Sequence, residues 1–390
     1  MDHNDVNALA GLHLSCSCGR THDVPIKKIF TGSGALSRLP EVLADFEGAH
    51  AFVVGDKNTL PLALDRTLSA LEGARCTHEV YEFKCGNKHL ILDEELIGRM
   101  LVHMPPETTL LIAIGSGTMN DLTRVIAAKL GIPYIIIGTA PSMDGYASSN
   151  SSVTMDGGKK SLQLDIVPYA IIADSDILKD APAVMISSGV GDILGKYVAL
   201  YDWKLAQREK GAHFCPHIAE LVKTAVDRCV ESIPKLIERD VDAMTSMADA
   251  LIMSGVCICM HGDSRPASGC EHHLSHFWEV ALHGGEKDSP LHGNLVGQGT
   301  KVACRMYQMA AEEYNLDFPY YLPTPQEIDD YIHQLGDYGT LETLGVTKDL
   351  FYESFFHKAN DRYNLMFLLE DDGKLESYAR RLTDEFFPGK

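Results

Sequence analysis

Two histidines four residues apart, His272 and His276, stand in the stretch Glu271-His272-His273-Leu274-Ser275-His276. On a helix that step stacks both imidazoles on one face. His292 follows sixteen residues after His276, and Asp192 lies in Gly191-Asp192-Ile193-Leu194-Gly195-Lys196. One carboxylate with two imidazoles is a common ligand set for a catalytic divalent ion, with further positions left for water or substrate. Imidazole suits zinc, nickel or iron(II), and the carboxylate compensates charge. A plainer reading competes. Seventeen histidines offer chance clusters, and Asp192, at what reads as a helix start, could simply cap that helix.

A second motif is Gly115-Ser116-Gly117-Thr118, set between an apolar run and a helix-patterned stretch. Glycines there let a ligand approach the backbone, and a helix N-terminus presents unpaired N–H groups to phosphate. Many such turns are glycine-rich for steric reasons alone. In the common dinucleotide fingerprint the ribose-binding acid follows the glycines by about 20 residues. Here Asp56, at a strand end, precedes them, and Asp121 falls inside the helix. Asp56 could accept from a ribose diol or cap the next helix, and Lys57 beside it could tolerate a 2′-phosphate. The choice between NAD and NADP stays open.

A third group is His13, Cys16, Cys18 and His22. It could bind zinc, although Cys-x-Cys spacing suits a tetrahedral structural site poorly. No Ser/His/Asp or Cys/His nucleophile arrangement stands out.

The formal net charge is −20. That argues against nucleic acid or an anionic membrane as partner, since both reward a basic face. An anionic substrate would need local positive potential from a metal, a lysine or a helix N-terminus. Ten cysteines scattered over 390 residues do not make a disulfide framework. Met1–Gly11 lacks an apolar signal region, and no apolar run is expected to reach the roughly 20 residues of a membrane span. A cytoplasmic protein with reduced thiols is expected.

The elements that must position these residues alternate in the first half. Ala51–Gly55, Leu110–Ile114, Tyr134–Ile137 and Tyr169–Ala173 are short apolar runs, and Thr77–Phe83 alternates. Leu60–Leu71, Leu92–Val102 and the stretch after Thr118 up to Leu130 have helical spacing. This order predicts an α/β unit with a parallel sheet covered on both faces. Gly138–Lys160 reads as a long irregular loop, which in a compact unit is usually functional. From about Ile177 apolar residues recur at helical spacing in Ile193–Leu205, Ile218–Ile233, Val241–Ile258 and Leu295–Ala311. The expected division is therefore an α/β nucleotide-binding unit over 1–176 and an all-helical metal- and substrate-binding unit over 177–390.

With these motifs laid out, the chain resembles the sn-glycerol-1-phosphate dehydrogenases, most closely their bacterial AraM-type branch. These belong to the superfamily of iron-containing alcohol dehydrogenases, glycerol dehydrogenases and dehydroquinate synthases. The resemblance rests on GSGTMND (115–121), GTAPSMDGYASS (138–149), GVGDILGK (189–196), SGCEHHLSH (268–276) and LHGNLVGQGTKVA (291–303), and covers about Ile26 to beyond His292.

It implies a Rossmann-like α/β unit followed by an all-α unit, the dehydroquinate synthase-like fold. It implies one divalent ion, nickel in bacterial and zinc in archaeal members, held by Asp192, His272 and His292. It implies substrate contacts from Asp144, Asp192 and His276, with His276 or a water carrying the proton. NAD(P)H contacts would come from Asp56, Gly115, Ser116, Gly117, Thr118, Asp121, Thr139, Ser142 and Ser148. His273 stands where archaeal members have an apolar residue, and the four-residue step to His276 favours His272 as the ligand.

The implied reaction is reversible reduction of dihydroxyacetone phosphate to sn-glycerol 1-phosphate, a glycerophospholipid precursor, by a homodimeric enzyme. Lys196 is a candidate for the substrate phosphate or, equally, a surface charge. A glycerol dehydrogenase or dehydroquinate-synthase-like enzyme would share the fold and ligands and differ in substrate preference. A non-catalytic nucleotide-binding regulator would lack turnover.

Overall fold

The computed structural model describes residues 5–84, 90–155, 158–282, 289–336 and 339–389. Its strands are β1 (His13–Ser15), β2 (Thr21–Asp23), β3 (Lys28–Gly32), β4 (His50–Asp56), β5 (Thr77–Phe83), β6 (Leu110–Gly115), β7 (Tyr134–Gly138), β8 (Asn150–Met155), β9 (Gly158–Gln163) and β10 (Ala170–Asp174). Six of them form one parallel sheet in the order β3-β10-β7-β6-β4-β5.

The central strands are the continuous apolar runs. β6, β7 and β10 are buried along their whole length, as parallel strands covered on both faces must be. Alternate residues of β6 serve opposite faces. Leu110, Ile112 and Ile114 pack with the Leu60–Gly73 helix, while Leu111 and Ala113 pack with the Glu94–His103 and Gly117–Leu130 helices. The chain runs outward from β4 to β5, then returns to place β6 on the other side of β4. Ligands of open α/β sheets bind at the carboxyl edge beside such a reversal. Asp56 ends β4 there, and Gly115 ends β6.

After β10 the described residues contain helices and no strand. The principal ones are Ala183–Lys210, Pro216–Leu236, Val241–His261, Cys270–Leu282 and His292–Tyr314. This α/β sheet region followed by a helical region is the expected fold class.

Four details differ from the sequence reading. Asp192 is not at a helix start and caps nothing. It lies nine residues into the Ala183–Lys210 helix. Glycines at 189, 191 and 195 disguise that helix, and they serve packing: a Cβ on Gly189 would overlap the Pro141 carbonyl, and one on Gly191 the Gly293 carbonyl. Second, the loop after Gly138 is irregular only to Ser149. β8 and β9 then pair antiparallel from Asn150↔Gln163 to Met155↔Gly158. Polar residues fill Asn150-Ser151-Ser152-Val153-Thr154-Met155, so apolar alternation hardly marks that strand, and only Ser151 and Val153 are buried. Asp156 and Gly157, within the same expected loop, lie outside the described residues.

Third, a hairpin (β1–β2) precedes the main sheet, and β2 packs against the Val241–His261 helix. Fourth, the Ala183–Lys210 and Val241–His261 helices are long and apolar enough to cross a membrane, contrary to the expectation of no such run. Their apolar windows are 83% and 78% buried inside the protein, which makes them core helices.

Candidate active site

The Cys270–Leu282 helix carries His272 and His276 one turn apart, with ring centroids separated by 5.6 Å. His292 opens the His292–Tyr314 helix. Its ring centroid is 5.3 Å from that of His272 and 5.6 Å from that of His276. Asp192 comes up from the middle of Ala183–Lys210, with Oδ1 3.7 Å from His272 Nε2. Donor atoms of Asp192, His272 and His292 all lie within 4.8 Å of one another.

What surrounds these residues shows what they are arranged to do. His272 Nδ1 is 2.6 Å from Glu271 Oε1, and His292 Nδ1 meets Glu279 Oε1. Each imidazole thus has one nitrogen anchored by a carboxylate and the other free to ligate, which is the usual outer support of a metal-binding histidine. Burial pushes the pKa of His272 and His276 well below the ordinary value and that of His292 down to about 4, so all three rings stay neutral with a lone pair available. The donor set and its outer carboxylates fit a divalent ion. His276, Glu279 and His292 also cluster within 4.8 Å, but there Glu279 is occupied in orienting His292. His273 turns toward the Phe367 ring, with centroids 6.1 Å apart, and does not line the cleft.

Asp192 is wholly buried. Burial alone would raise its pKa, but Lys196, His292 and the Asp144 N–H together hold the carboxyl below its ordinary range. Lys196 Nζ is 2.6 Å from Asp192 Oδ1 and 2.9 Å from Asp144 Oδ2. Lys196 is therefore no surface charge, and it does not line the cleft where a substrate phosphate would lie. The same knot includes the Asp144 N–H donating to Asp192 Oδ2 at 2.9 Å and the Ser254 hydroxyl donating to Asp144 Oδ2 at 2.8 Å.

A cleft of about 820 Å³ runs from the sheet's carboxyl edge to this centre. Asp56, Ser116, Gly117, Thr118, Asp121, Thr139, Ser142 and Ser148 line one part, and Asp144, His272, His276 and His292 the other. The register explains the convergence, because β6 and β7 end in step at Gly115↔Gly138, bringing the 115–118 turn beside Thr139. Ser116 stands at the N-cap of the Gly117–Leu130 helix and makes no side-chain cap. Gly115 is not on the cleft wall. A Cβ there would collide with Met119, so this glycine lets the helix close on its strand.

Asp121 carries a structural duty. It accepts from Arg124 at 2.6 Å and from the Ser152 N–H at 3.0 Å, tying β8 to the helix. Asp56 Oδ1 accepts from the N–H groups of Asn58 and Thr59, closing the turn before the Leu60–Gly73 helix, whose N-cap is Thr59; it does not itself cap that helix, and it lines the cleft.

Sequence reasoning missed Glu279 and Lys159, which form an ion pair on the cleft wall. Glu279 lies seven residues after His272, on the same face of the helix, a helical repeat that could have exposed it. Nothing local marks Lys159, because its place depends on the β8–β9 hairpin.

Residues 30–182 match the model of the iron-containing alcohol dehydrogenase family. The chain is 36% identical over 300 residues to glycerol-1-phosphate dehydrogenase [NAD(P)+] of Halalkalibacterium halodurans, covering 76% of this chain and 75% of that protein. It is 30% identical over 374 residues to the enzyme of that name from Bacillus licheniformis, covering 93% of each. Glycerol dehydrogenase from Schizosaccharomyces pombe shares the fold, with a TM-score of 0.66 at 19% identity over 93% of this chain and 92% of that one. By sequence, the chain belongs to the glycerol-1-phosphate dehydrogenase family.

Proposed function

We propose that Asp192, His272 and His292 hold one divalent ion at the floor of a cleft in which this enzyme reduces dihydroxyacetone phosphate to sn-glycerol 1-phosphate with NAD(P)H. The observation that carries the assignment is the convergence of one carboxylate and two carboxylate-anchored imidazoles, with His272 and His292 lining the same cleft as Ser116, Gly117 and Thr118. When bound, such an ion supplies Lewis-acid polarisation of the substrate's C2 carbonyl.

The chain's own groups do the rest. The N-terminus of the Gly117–Leu130 helix receives the dinucleotide pyrophosphate, and Asp56 the adenosine ribose. Gly115 shapes that turn from behind; Thr139, Ser142 and Ser148 line the path to the nicotinamide. Asp121 fixes the wall on which the cofactor lies. When bound, NAD(P)H would supply the hydride to C2, and His276, or a water it holds, would pass a proton to the C2 oxygen. Asp144 contacts the substrate, and Lys196 keeps Asp144 and Asp192 charge-compensated. Lys159, on the cleft wall beside Glu279, would take the substrate phosphate, giving an acidic protein the local cation its anionic substrate needs.

The finer reading is a cytoplasmic homodimer loaded with nickel or zinc, making glycerophospholipid precursor. The units are 1–176 for the dinucleotide and 177–390 for metal and substrate. The rival glycerol dehydrogenase reading shares the fold and the donor set and differs in substrate preference, and the regulatory reading lacks a use for an intact donor set. The test is a substrate panel on metal-reconstituted enzyme. Dihydroxyacetone phosphate should be strongly preferred to dihydroxyacetone. Preference for the uncharged ketone would overturn the assignment.

A further inference from the structure

A second set of metal-ligating side chains lies outside the cleft lining. Cys16 and Cys18 sit in the turn between β1 and β2, and His22 on β2. The structure adds a fourth member that the sequence does not suggest. Cys215, at the N-cap of the Pro216–Leu236 helix, is 193 residues from His22. Cys215 Sγ lies 3.6 Å from Cys16 Sγ and 3.3 Å from His22 Nε2, and Cys18 Sγ is 3.3 Å from the same Nε2. All four donor atoms fall within 4.8 Å of one another. His13, the other member of the sequence cluster, is exposed and pairs with Asp23 instead.

Three features make this a built site. The separations of 3.3–3.6 Å, with all four donors within 4.8 Å, are close to those of a coordination tetrahedron. With metal–sulfur bonds of about 2.3 Å and metal–nitrogen bonds of about 2.0 Å, neighbouring donors stand about 3.5–3.8 Å apart. A disulfide would instead need sulfurs at about 2.05 Å. His22 and Cys215 are buried, and His22 Nδ1 donates to the Met260 carbonyl at 2.7 Å. That bond sets the tautomer and turns Nε2 toward the thiols, as outer partners of ligating histidines do. The Met260 carbonyl belongs to the last turn of the Val241–His261 helix, whose carbonyls lack intrahelical partners. Finally, Cys215 stands at the N-cap of the Pro216–Leu236 helix, which fixes its sulfur against Cys16 and His22.

We infer that Cys16, Cys18, His22 and Cys215 form a closed structural zinc site that clips the N-terminal hairpin to the helical region. Three thiolates and an imidazole form a standard Cys₃His zinc set with no position for substrate. The clip explains how two three-residue strands, too short to be stable as a free hairpin, hold a fixed position. It also explains why Cys-x-Cys spacing misleads here: the local segment supplies three ligands, and the tertiary fold supplies the fourth.

Cobalt(II) substitution under reducing conditions tests the site. Sulfur-to-cobalt charge-transfer bands can arise from this cluster, whereas the oxygen and nitrogen donors of Asp192, His272 and His292 cannot produce them. Wild-type protein should show the bands and hold two metal equivalents per chain. His292→Ala should keep the bands and one equivalent. Cys18→Ala should lose the bands and one zinc equivalent, keep kcat within about twofold, and melt at lower temperature. Absence of the bands in wild-type protein would overturn the inference. So would a Cys18→Ala or Cys16→Ala variant that binds as much zinc as wild type, or a metal-free Cys16–Cys215 disulfide surviving reduction. Loss of turnover in His292→Ala with the bands intact would bear on the cleft alone, which keeps the two sites distinguishable.

Discussion

Gly191 lies directly against Gly293, so close that a Cβ on either would overlap the opposing helix backbone: Gly191 the Gly293 carbonyl, Gly293 the Ser188 carbonyl. Each glycine adjoins a candidate ligand, Asp192 on one helix and His292 on the other. The bare contact is what lets two helices cross tightly enough to bring a carboxylate and an imidazole to one ion.

Gly191→Ala should therefore act on metal binding as well as on stability. Overpacking a backbone contact costs about 1–3 kcal/mol or more, and separating the helices spreads the ligands. The expected result is a melting temperature several degrees lower together with weakened metal retention. A variant with wild-type metal content and turnover would show that the contact does not set the ligand spacing.

Glu279 anchors His292 and pairs with Lys159. Glu279→Gln keeps the shape and removes the charge. Metal affinity should fall about 10- to 100-fold, the usual effect of losing an outer-sphere partner. NADH binding should remain close to wild type, because the Gly115–Thr118 turn is untouched. Competition with a chromophoric chelator and fluorescence titration of NADH measure the two effects separately.

Lys159→Ala should raise KM for dihydroxyacetone phosphate at least tenfold while changing KM for dihydroxyacetone little. The difference isolates a contact with the phosphate from a general disturbance of the cleft. Equal effects on both ketones would remove Lys159 from phosphate binding.

Asp249, in the Val241–His261 helix, has a buried Oδ1 with no hydrogen-bond partner, and burial pushes its pKa up to about 6. A folded-state pKa above the unfolded value means that the folded form prefers the neutral acid. Stability therefore falls as pH rises through about 6 and is fully present only below about 4. Asp249→Asn should stabilise the protein at pH 8 by at most about 3 kcal/mol and have little effect at pH 4. Thermal melts of both proteins across that range check the sign. A larger gain at acid pH would contradict it.

Removal of metal by a chelator should abolish turnover and leave NAD(P)H binding intact, since the proposed ligands Asp192, His272 and His292 are different residues from Asp56 and the Gly115–Thr118 turn. Activity should return on adding nickel or zinc, and the better of the two identifies the working ion.

Much of this molecule is legible in its residues because the determining forces are local. Apolar runs such as Leu110–Ile114 and Tyr134–Ile137 can be buried only as covered parallel strands, and a glycine turn between strand and helix presents N–H groups wherever it occurs. His272 and His276 share a face because a helix repeats every 3.6 residues. Other features needed the folded chain. Asp192 reads as a cap until the glycines around it are seen to pack against Pro141 and Gly293. Lys196 reads equally as a phosphate contact or a surface charge until buried Asp192 and part-buried Asp144 enclose it. β8 lacks an apolar alternation, so Lys159 has no visible destination. Cys215 joins Cys16, Cys18 and His22 across almost 200 residues. Periodicity tells which face of an element is buried, but which faces meet is settled by close packing among elements distant in the chain, and both proposed metal centres arise at such meetings.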